Sequence, residues 1–291
     1  MSAIDTLKKT LGKIEKDGDK IKGALYGFAI GDAMGATTEF MNKEEIKKEY
    51  GEVTDILGGG WLNLQPGGVT DDTQMSMCVM DALMAFKDGK YSRLEHFTKA
   101  IADNFVKWYK SNPPDVGNQC REGILKYMRT GKLKGDRIES ALGNGGLMRA
   151  MPCALFQSVC LNVDQNNITH NNSICEEIII AYHTMMRKLL KGETDKRIFR
   201  TDYNFTLCSP TGCVINTFAN ATHWVINTDT FRDAILRPVN HGGDTDTIAA
   251  ITGSLAGCLY GYDNIPKEWI DKLDKEVTKK LDLFLDFLLT R

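Results

Sequence analysis

Apolar residues recur at helical spacing along most of this chain, and that periodicity limits its fold more than any other feature. Residues 20–34 place Ile21, Leu25 and Phe28 on one face, at the intervals of three and four residues that are typical of an amphipathic helix. Six further segments show the same spacing: 73–87, 92–110, 119–129, 175–190, 247–260 and 267–289. Strand-like alternation of apolar and polar residues is scarce, so the sequence predicts an all-α fold.

The domain organisation follows from the stretches between these helices. They are Gly-rich or polar, too short for domain linkers, and free of internal repeats. We therefore predict a single compact orthogonal helical domain over residues 20–291. Residues 1–19 place Ile4, Leu7 and Leu11 on one stripe. This pattern predicts an N-terminal helical extension, which either packs on the body or docks on a partner.

Composition excludes several classes of protein. The formal net charge is −2, without the basic excess that is typical of nucleic-acid-binding proteins. No apolar run approaches the ~18 residues that a membrane span needs. The N-terminus lacks the apolar core of a signal peptide, so we expect a cytoplasmic protein. The eight cysteines include no C-x-x-C pair, which favours buried free thiols over a zinc cluster or a disulfide framework.

Two acidic segments point to chemistry. "GVTDDT" (68–73) and "HGGDTDT" (241–247) each place carboxylates and hydroxyls after glycines and before a predicted helix. Either segment alone could be a simple N-cap. Adjacent carboxylates repel unless positive charge lies between them, and together the segments offer only oxygen ligands, which Mg²⁺ and Mn²⁺ prefer. The pattern therefore predicts a site for two divalent cations between helix N-termini, with the oxygens of Thr70, Asp71, Asp72, Asp244, Asp246 and Thr247.

Four stretches resemble the ADP-ribosylglycohydrolase family, and most closely its dinitrogenase reductase-activating glycohydrolase branch. They are "GALYGFAIGDAMGATTEF" (23–40), "GWLNLQPGGVTDDTQMSM" (60–77), "GNGGLMRAMP" (143–152) and "NHGGDTDTIAAITGSLAGCLYG" (240–261). The resemblance implies an all-α hydrolase that removes ADP-ribose from modified protein side chains. It also implies that the six residues named above are ligands of a binuclear magnesium or manganese site.

The resemblance extends to residues around the metals. It implies that Glu39 lies near the metals and the substrate ribose, and that Asp115 in "NPPDVGNQCREG" is catalytic; either carboxylate would be the acid or base. It implies substrate contacts from Asn118, Glu139, Asn144, Gly145, Met148 and His170. Each of these residues also has an ordinary interpretation as a cap, a turn residue or a surface residue. Arg149 would contact a phosphate or anchor a carboxylate internally.

Two departures and several alternatives remain open. Cys213 stands where the branch tends to carry an aromatic residue facing adenine, and the Asn-rich segment 161–174 is expected to be a loop at the mouth of the site. The branch implies cleavage of the N-glycosidic bond to arginine. The alternatives are another linkage, to serine or to a small conjugate, a non-catalytic ADP-ribose-binding protein, or a protein that neutralises a toxin through residues 1–19.

Overall fold

The computed structural model describes residues 17–85, 93–202 and 207–290, and this part of the chain is all-α, as predicted. It contains thirteen α-helices and no β-strand. The helices are α1 (Gly18–Gly35), α2 (Lys43–Tyr50), α3 (Asp71–Met84), α4 (Leu94–Lys110), α5 (Asn118–Thr130), α6 (Met151–Leu155), α7 (Val159–Asn167), α8 (Ser173–Leu190), α9 (Val214–Ile226), α10 (Phe231–Val239), α11 (Thr245–Tyr260), α12 (Lys267–Lys272) and α13 (Lys275–Thr290). They pack around one hydrophobic core, which confirms the prediction of a compact all-α fold.

The helix prediction assigned no segment to α2, α6, α9 or α10. At two further places it departs from the structure for identifiable reasons. Segment 267–289 is two helices rather than one, because Leu273 is extended and the Asp274 side chain accepts hydrogen bonds from the first amides of α13. Segment 161–174 is not simply a loop, because α7 occupies it as far as Asn167. Much of the polar side of α7 is turned inward, and Asn162 and Gln165 are fully buried, so its sequence lacks the usual amphipathic pattern.

Some predictions lie partly outside the described residues. Of the predicted extension 1–19, only residues 17–19 are described, and α1 already begins at Gly18 with the Asp17 side chain as its N-cap. The prediction for 73–87 is met by α3 up to Met84, and residues 86 and 87 are not described. In the described ranges, no helix combines the length and the apolar character needed to cross a lipid bilayer. All eight cysteines are free thiols, and four are buried.

A stripe of glycines brings α1 and α11 into backbone contact at the centre of the fold. Gly23, Gly27, Gly31 and Gly35 recur every fourth residue along the face of α1 that meets α11. A Cβ at Gly31 would overlap the carbonyl oxygen of Ala249, so a larger residue there would force the helices apart. This packing sets Gly35 against the first turn of α11. It therefore places the segment after α1, which carries Glu39, beside "DTDT".

Candidate active site

The two acidic segments meet at the N-termini of α3 and α11. Thr70 is the N-cap of α3, and its hydroxyl accepts the amide hydrogen of Asp72 at 3.3 Å. Asp244 occupies the N-cap position of α11 without a side-chain capping bond. The Thr247 hydroxyl donates to Asp72 Oδ2 at 3.3 Å and joins the two segments. Capping thus accounts for Thr70, whereas the carboxylates remain available for another purpose.

A cavity of about 390 Å³ opens above these helix ends. It is lined by most of the residues singled out from the sequence: Glu39, Asp71, Asp72, Asp115, Asn118, Asn144, Gly145, Met148, His170, Asp244, Asp246 and Thr247. Thr70 is buried next to this wall. Glu139 is not among the lining residues: it is exposed, forms an ion pair with Arg137 at 2.7 Å and accepts a hydrogen bond from Ser173.

We name five of the lining side chains the carboxylate cluster: Glu39, Asp71, Asp72, Asp244 and Asp246. Glu39, Asp244 and Asp246 each place a carboxylate oxygen within 4.8 Å of the others. Asp72 Oδ1 and Asp246 Oδ1 are buried and have no hydrogen-bond partner. Buried polar atoms without a partner are rare in folded proteins. Hard, anionic oxygens in this arrangement fit divalent cations such as Mg²⁺ or Mn²⁺.

Burial and mutual repulsion oppose full ionisation of the carboxylate cluster. Burial, followed by the charge of Asp246, raises the pKa of Asp72 well above its usual range. Burial also raises the pKa of Asp71 to about 8, with Asp115 as the next contributor, and that of Asp244 to about 6. Positive charge held among these groups would favour their ionised forms. The raised pKa values and the oxygen ligands of the carboxylate cluster therefore both favour a cation site.

Asp32 orients the first turn of α3, and sequence reasoning missed it. Its fully buried carboxylate, in the last turn of α1, accepts hydrogen bonds from the backbone amides of Thr70 and Thr73, both at 3.0 Å, and from the Thr73 hydroxyl. The signal was an acidic residue inside the apolar run "GFAIGDAMG". Such a residue needs buried donors, and here they are the amides that precede and follow the two aspartates.

The loop around Asn144 is tied to the carboxylate cluster and packs on His170. Asn144 Nδ2 donates to Asp244 Oδ2 at 2.6 Å and to Thr217 Oγ1 at 2.9 Å. A Cβ at Gly145 would lie 2.7 Å from the His170 ring, so only glycine allows this approach. Burial, then the charge of Arg149, lowers the pKa of His170 well below its usual value, which keeps the ring neutral.

Arg149 contacts neither a carboxylate nor the cavity, so neither predicted role is found. It is fully buried, and every guanidinium nitrogen has a partner within the fold. Nε donates to Gln165 Oε1 at 2.8 Å, and Nη2 donates to Thr169 Oγ1 at 2.7 Å. Nη1 faces the sulfur of Cys120 at 3.5 Å. We name these four residues the Arg149 network; it supports the wall that carries His170.

Three further residues complete the surroundings of the cavity. Cys213 is half-buried and pairs with the backbone of Gly143, but it is not among the cavity-lining residues. The Trp61 indole N–H donates to Glu39 Oε2 at 2.6 Å. Phe40 lines the cavity and is 67% exposed. Sequence reasoning missed both aromatic residues, although they lie in or beside the stretches that carry the family resemblance.

Comparison with known proteins agrees with the fold and the motifs. The ADP-ribosylglycohydrolase family model matches residues 14–290. The chain is 36% identical to the ADP-ribosyl-[dinitrogen reductase] glycohydrolase of Rhodospirillum rubrum, over 93% of this chain and 96% of that protein. It is 33% identical to the ADP-ribosylarginine hydrolase Tri1 of Serratia proteamaculans, over 88% of this chain and 75% of that one.

A solved structure supports the same assignment. An ADP-ribosylglycohydrolase-related protein complex superposes with a TM-score of 0.80 at 26% identity, covering 94% of this chain and 99% of the other. The resemblance inferred from four short stretches thus extends over nearly the whole sequence and over the three-dimensional fold. The chain therefore belongs to the ADP-ribosylglycohydrolase family of hydrolases.

Proposed function

We propose that this protein is a metal-dependent hydrolase that removes ADP-ribose from modified arginine side chains by cleaving the N-glycosidic bond. The observation that carries the proposal is the pair of buried, unpartnered oxygens of Asp72 and Asp246 at the wall of the cavity. The cavity volume, about 390 Å³, lies within the range of small-molecule sites. The names of the relatives from Rhodospirillum and Serratia support the ADP-ribosyl substrate, and the latter supports arginine.

The cation ligands would come from both acidic segments. Thr70, Asp71 and Asp72 would serve from the start of α3, and Asp244, Asp246 and Thr247 from the start of α11. Asp32 and Asn144 would hold these two groups in place through the hydrogen bonds described above. Two bound cations, magnesium or manganese, would supply Lewis acidity at this site.

Two carboxylates, Asp115 and Glu39, are candidates for the proton transfer. Hydrolysis joins a water oxygen to the ribose C1″ while the bond from C1″ to the guanidine nitrogen breaks. One carboxylate takes the water proton and then gives it up to the departing guanidine nitrogen, so the protein ends as it began. Burial raises the pKa of Glu39 to about 8, against the hydrogen bond from Trp61. Burial also raises the pKa of half-buried Asp115.

Binding of ADP-ribose would use the remaining lining residues. Asn118 stands exposed at the start of α5, and Gly145, Met148 and neutral His170 form the neighbouring wall. Because Asn144 is already bonded to Asp244 and Thr217, it would position the loop as well as contact the ligand. Glu139 lies outside the cavity, so we assign it no role.

The test is release of free ADP-ribose from an arginine-ADP-ribosylated protein in the presence of Mn²⁺. We expect release that stops with EDTA and returns with added Mn²⁺ or Mg²⁺. A serine-linked substrate is assayed beside it, and preferential hydrolysis of serine would replace the arginine proposal. Binding of Mn²⁺ and ADP-ribose without release from either substrate would indicate a non-catalytic ADP-ribose-binding protein.

Docking of a toxin or a regulatory partner through residues 1–19 stays a prediction, as does a cytoplasmic location. Deleting residues 1–16 and measuring binding to a candidate ADP-ribosylating toxin would test the docking. Loss of binding with retained hydrolase activity would support it, and unchanged binding would contradict it.

A further inference from the structure

Phe40 holds an unusual backbone conformation at the edge of the cavity. Its φ is +65°, in the left-handed region that a bulky side chain rarely adopts. Its ring is 67% exposed, so burial of the ring does not account for that conformation. Strained conformations of this kind persist where the surrounding structure enforces them, and they cluster at functional sites. Phe40 is therefore a candidate for a specific role in binding.

The backbone around Phe40 is fastened to the segment that leads into α11. Phe40 N–H donates to the carbonyl of Gly243 at 2.8 Å, and Gly243 N–H donates back to Met41 at 2.8 Å. The Thr38 hydroxyl donates to the carbonyl of Val239 at 2.8 Å. The backbone that carries the ring is thus held at a fixed position relative to Asp244 and the rest of the carboxylate cluster.

A second aromatic ring is built against the first. The Trp61 and Phe40 ring centroids are 5.5 Å apart, and Trp61 is 49% exposed. Its loop is closed by reciprocal backbone hydrogen bonds between Gly59 and Leu64, at 2.7 and 2.9 Å. Gly60 packs directly on the backbone at Ala36, which docks the loop on the end of α1. The two rings form a continuous surface that we name the aromatic shelf.

The charges beside the aromatic shelf select for a cation. Six carboxylates line the cavity, one negative charge more than two divalent cations and Arg121, the sole Lys or Arg among the described lining residues, would balance. The Trp61 indole N–H donates to Glu39, so the shelf and this carboxylate form one unit. Aromatic faces attract cations within about 6 Å of the ring centroid, and guanidinium groups in particular. The shelf therefore suits a planar cation next to the carboxylates.

We propose that the aromatic shelf of Phe40 and Trp61 binds the guanidinium group of the modified arginine. This inference rests on the proposed function, because it assigns a place to the leaving group of that reaction. The shelf would then distinguish arginine conjugates from neutral, oxygen-linked ones. Free ADP-ribose, which carries no guanidinium, would not use it.

The experiment compares wild type with Phe40→Leu, which removes the aromatic face but keeps an apolar side chain. We expect KM for an ADP-ribosylarginine substrate to rise about two- to fivefold, the range of one exposed cation–π contact. The Kd of free ADP-ribose, measured by calorimetry with Mn²⁺ present, should stay unchanged. Phe40→Tyr keeps the aromatic face and should retain the wild-type KM.

Controls separate this effect from general damage to the rim. Leu57→Ala alters an exposed apolar residue that is not among the cavity-lining residues and should leave both constants unchanged. Trp61→Phe keeps a ring but removes the N–H donated to Glu39, so we expect kcat to fall more than KM rises. Thermal unfolding of each variant checks the fold.

Three outcomes would overturn the inference. An unchanged KM in Phe40→Leu would show that the shelf does not bind the guanidinium. Equal weakening of ADP-ribose and of the arginine conjugate would assign the rings to the adenine base instead. If the wild-type enzyme released no ADP-ribose from arginine, the proposed function and this inference would both be wrong. This activity is therefore measured first.

Discussion

The carboxylate cluster and the Arg149 network are two buried charged regions on either side of one wall, and they differ in how their polar atoms are satisfied. Every nitrogen of the Arg149 guanidinium has a partner within the fold. In the carboxylate cluster, Asp72 and Asp246 each keep a buried oxygen without one. A buried charge with internal partners contributes to structure. A buried charge without them indicates a ligand that the fold is built to receive.

Removing a carboxylate should give the largest effect. We expect Asp71→Ala and Asp246→Ala to lose cation binding and about a thousandfold or more of the activity, since a Lewis-acid metal contributes several kcal/mol to catalysis. Helical content should persist, because each change relieves repulsion among buried carboxylates. Calorimetry with Mn²⁺, ADP-ribose release and circular dichroism measure these quantities. Retained turnover in both variants would contradict the proposed site for two divalent cations.

The Arg149 network should respond in the opposite way. Arg149→Met leaves Gln165 and Thr169 buried without their donor, so we expect the free energy of unfolding to fall by about 2–3 kcal/mol. The number of Mn²⁺ ions bound per folded chain should not change. Urea unfolding and calorimetry measure the two effects. Arg129→Met, on the exposed end of α5, is the matched control and should change stability by less than about 0.5 kcal/mol.

Asp32 combines features of the two regions. Its buried carboxylate has hydrogen-bond partners within the fold, but it also holds the proposed cation ligands in place. Asp32→Asn should lower Mn²⁺ affinity about 10- to 100-fold, the usual cost of altering a residue that orients metal ligands. Glu139→Gln removes one negative charge at the surface and should leave the affinity unchanged. Equal affinities for wild type and Asp32→Asn would show that Thr70 and Thr73 are oriented without this carboxylate.

The smallest expected effect is a dependence of the free energy of unfolding on pH. It comes from His183, which lies beyond Gln165 of the Arg149 network. Gln165 donates to Asn162, whose amide lies 3.4 Å from His183 Nδ1. Burial lowers the pKa of His183 to about 4, below the unfolded value of about 6.5. The unfolded chain therefore binds the proton first, and stability present above pH 6.5 is lost as the pH falls towards 4.

A substitution isolates this contribution. When the pH is lowered from 7.5 to 5.5, the free energy of unfolding should fall by about 1 kcal/mol less in His183→Gln than in wild type. Identical profiles for wild type and His183→Gln would contradict the assignment. Urea unfolding at the two pH values is the measurement.

The sequence predicted those parts of the molecule in which local pattern and tertiary role agree. Helical spacing marks the apolar helices because their buried faces are apolar. The two acidic segments stand out because nothing in an isolated helix requires consecutive carboxylates. The helix α7 escaped because its buried residues Asn162 and Gln165 are polar. Asp32 and Phe40 also escaped, and Arg149 was expected in other roles, because the contacts of these residues depend on partners far away in the sequence.

The glycine stripe between α1 and α11 has a consequence for how this enzyme can change. Because the two helices touch through their backbones, a change of side-chain rotamer cannot alter their separation. Glu39, after α1, and Asp246, on α11, therefore belong to one rigid unit. The Trp61 loop rests on the outside of that unit. If the aromatic shelf binds the guanidinium as proposed, substitutions there would alter which conjugate is accepted while Asp246 on α11 keeps its position, and among the carboxylates Glu39, which accepts the Trp61 hydrogen bond, would respond.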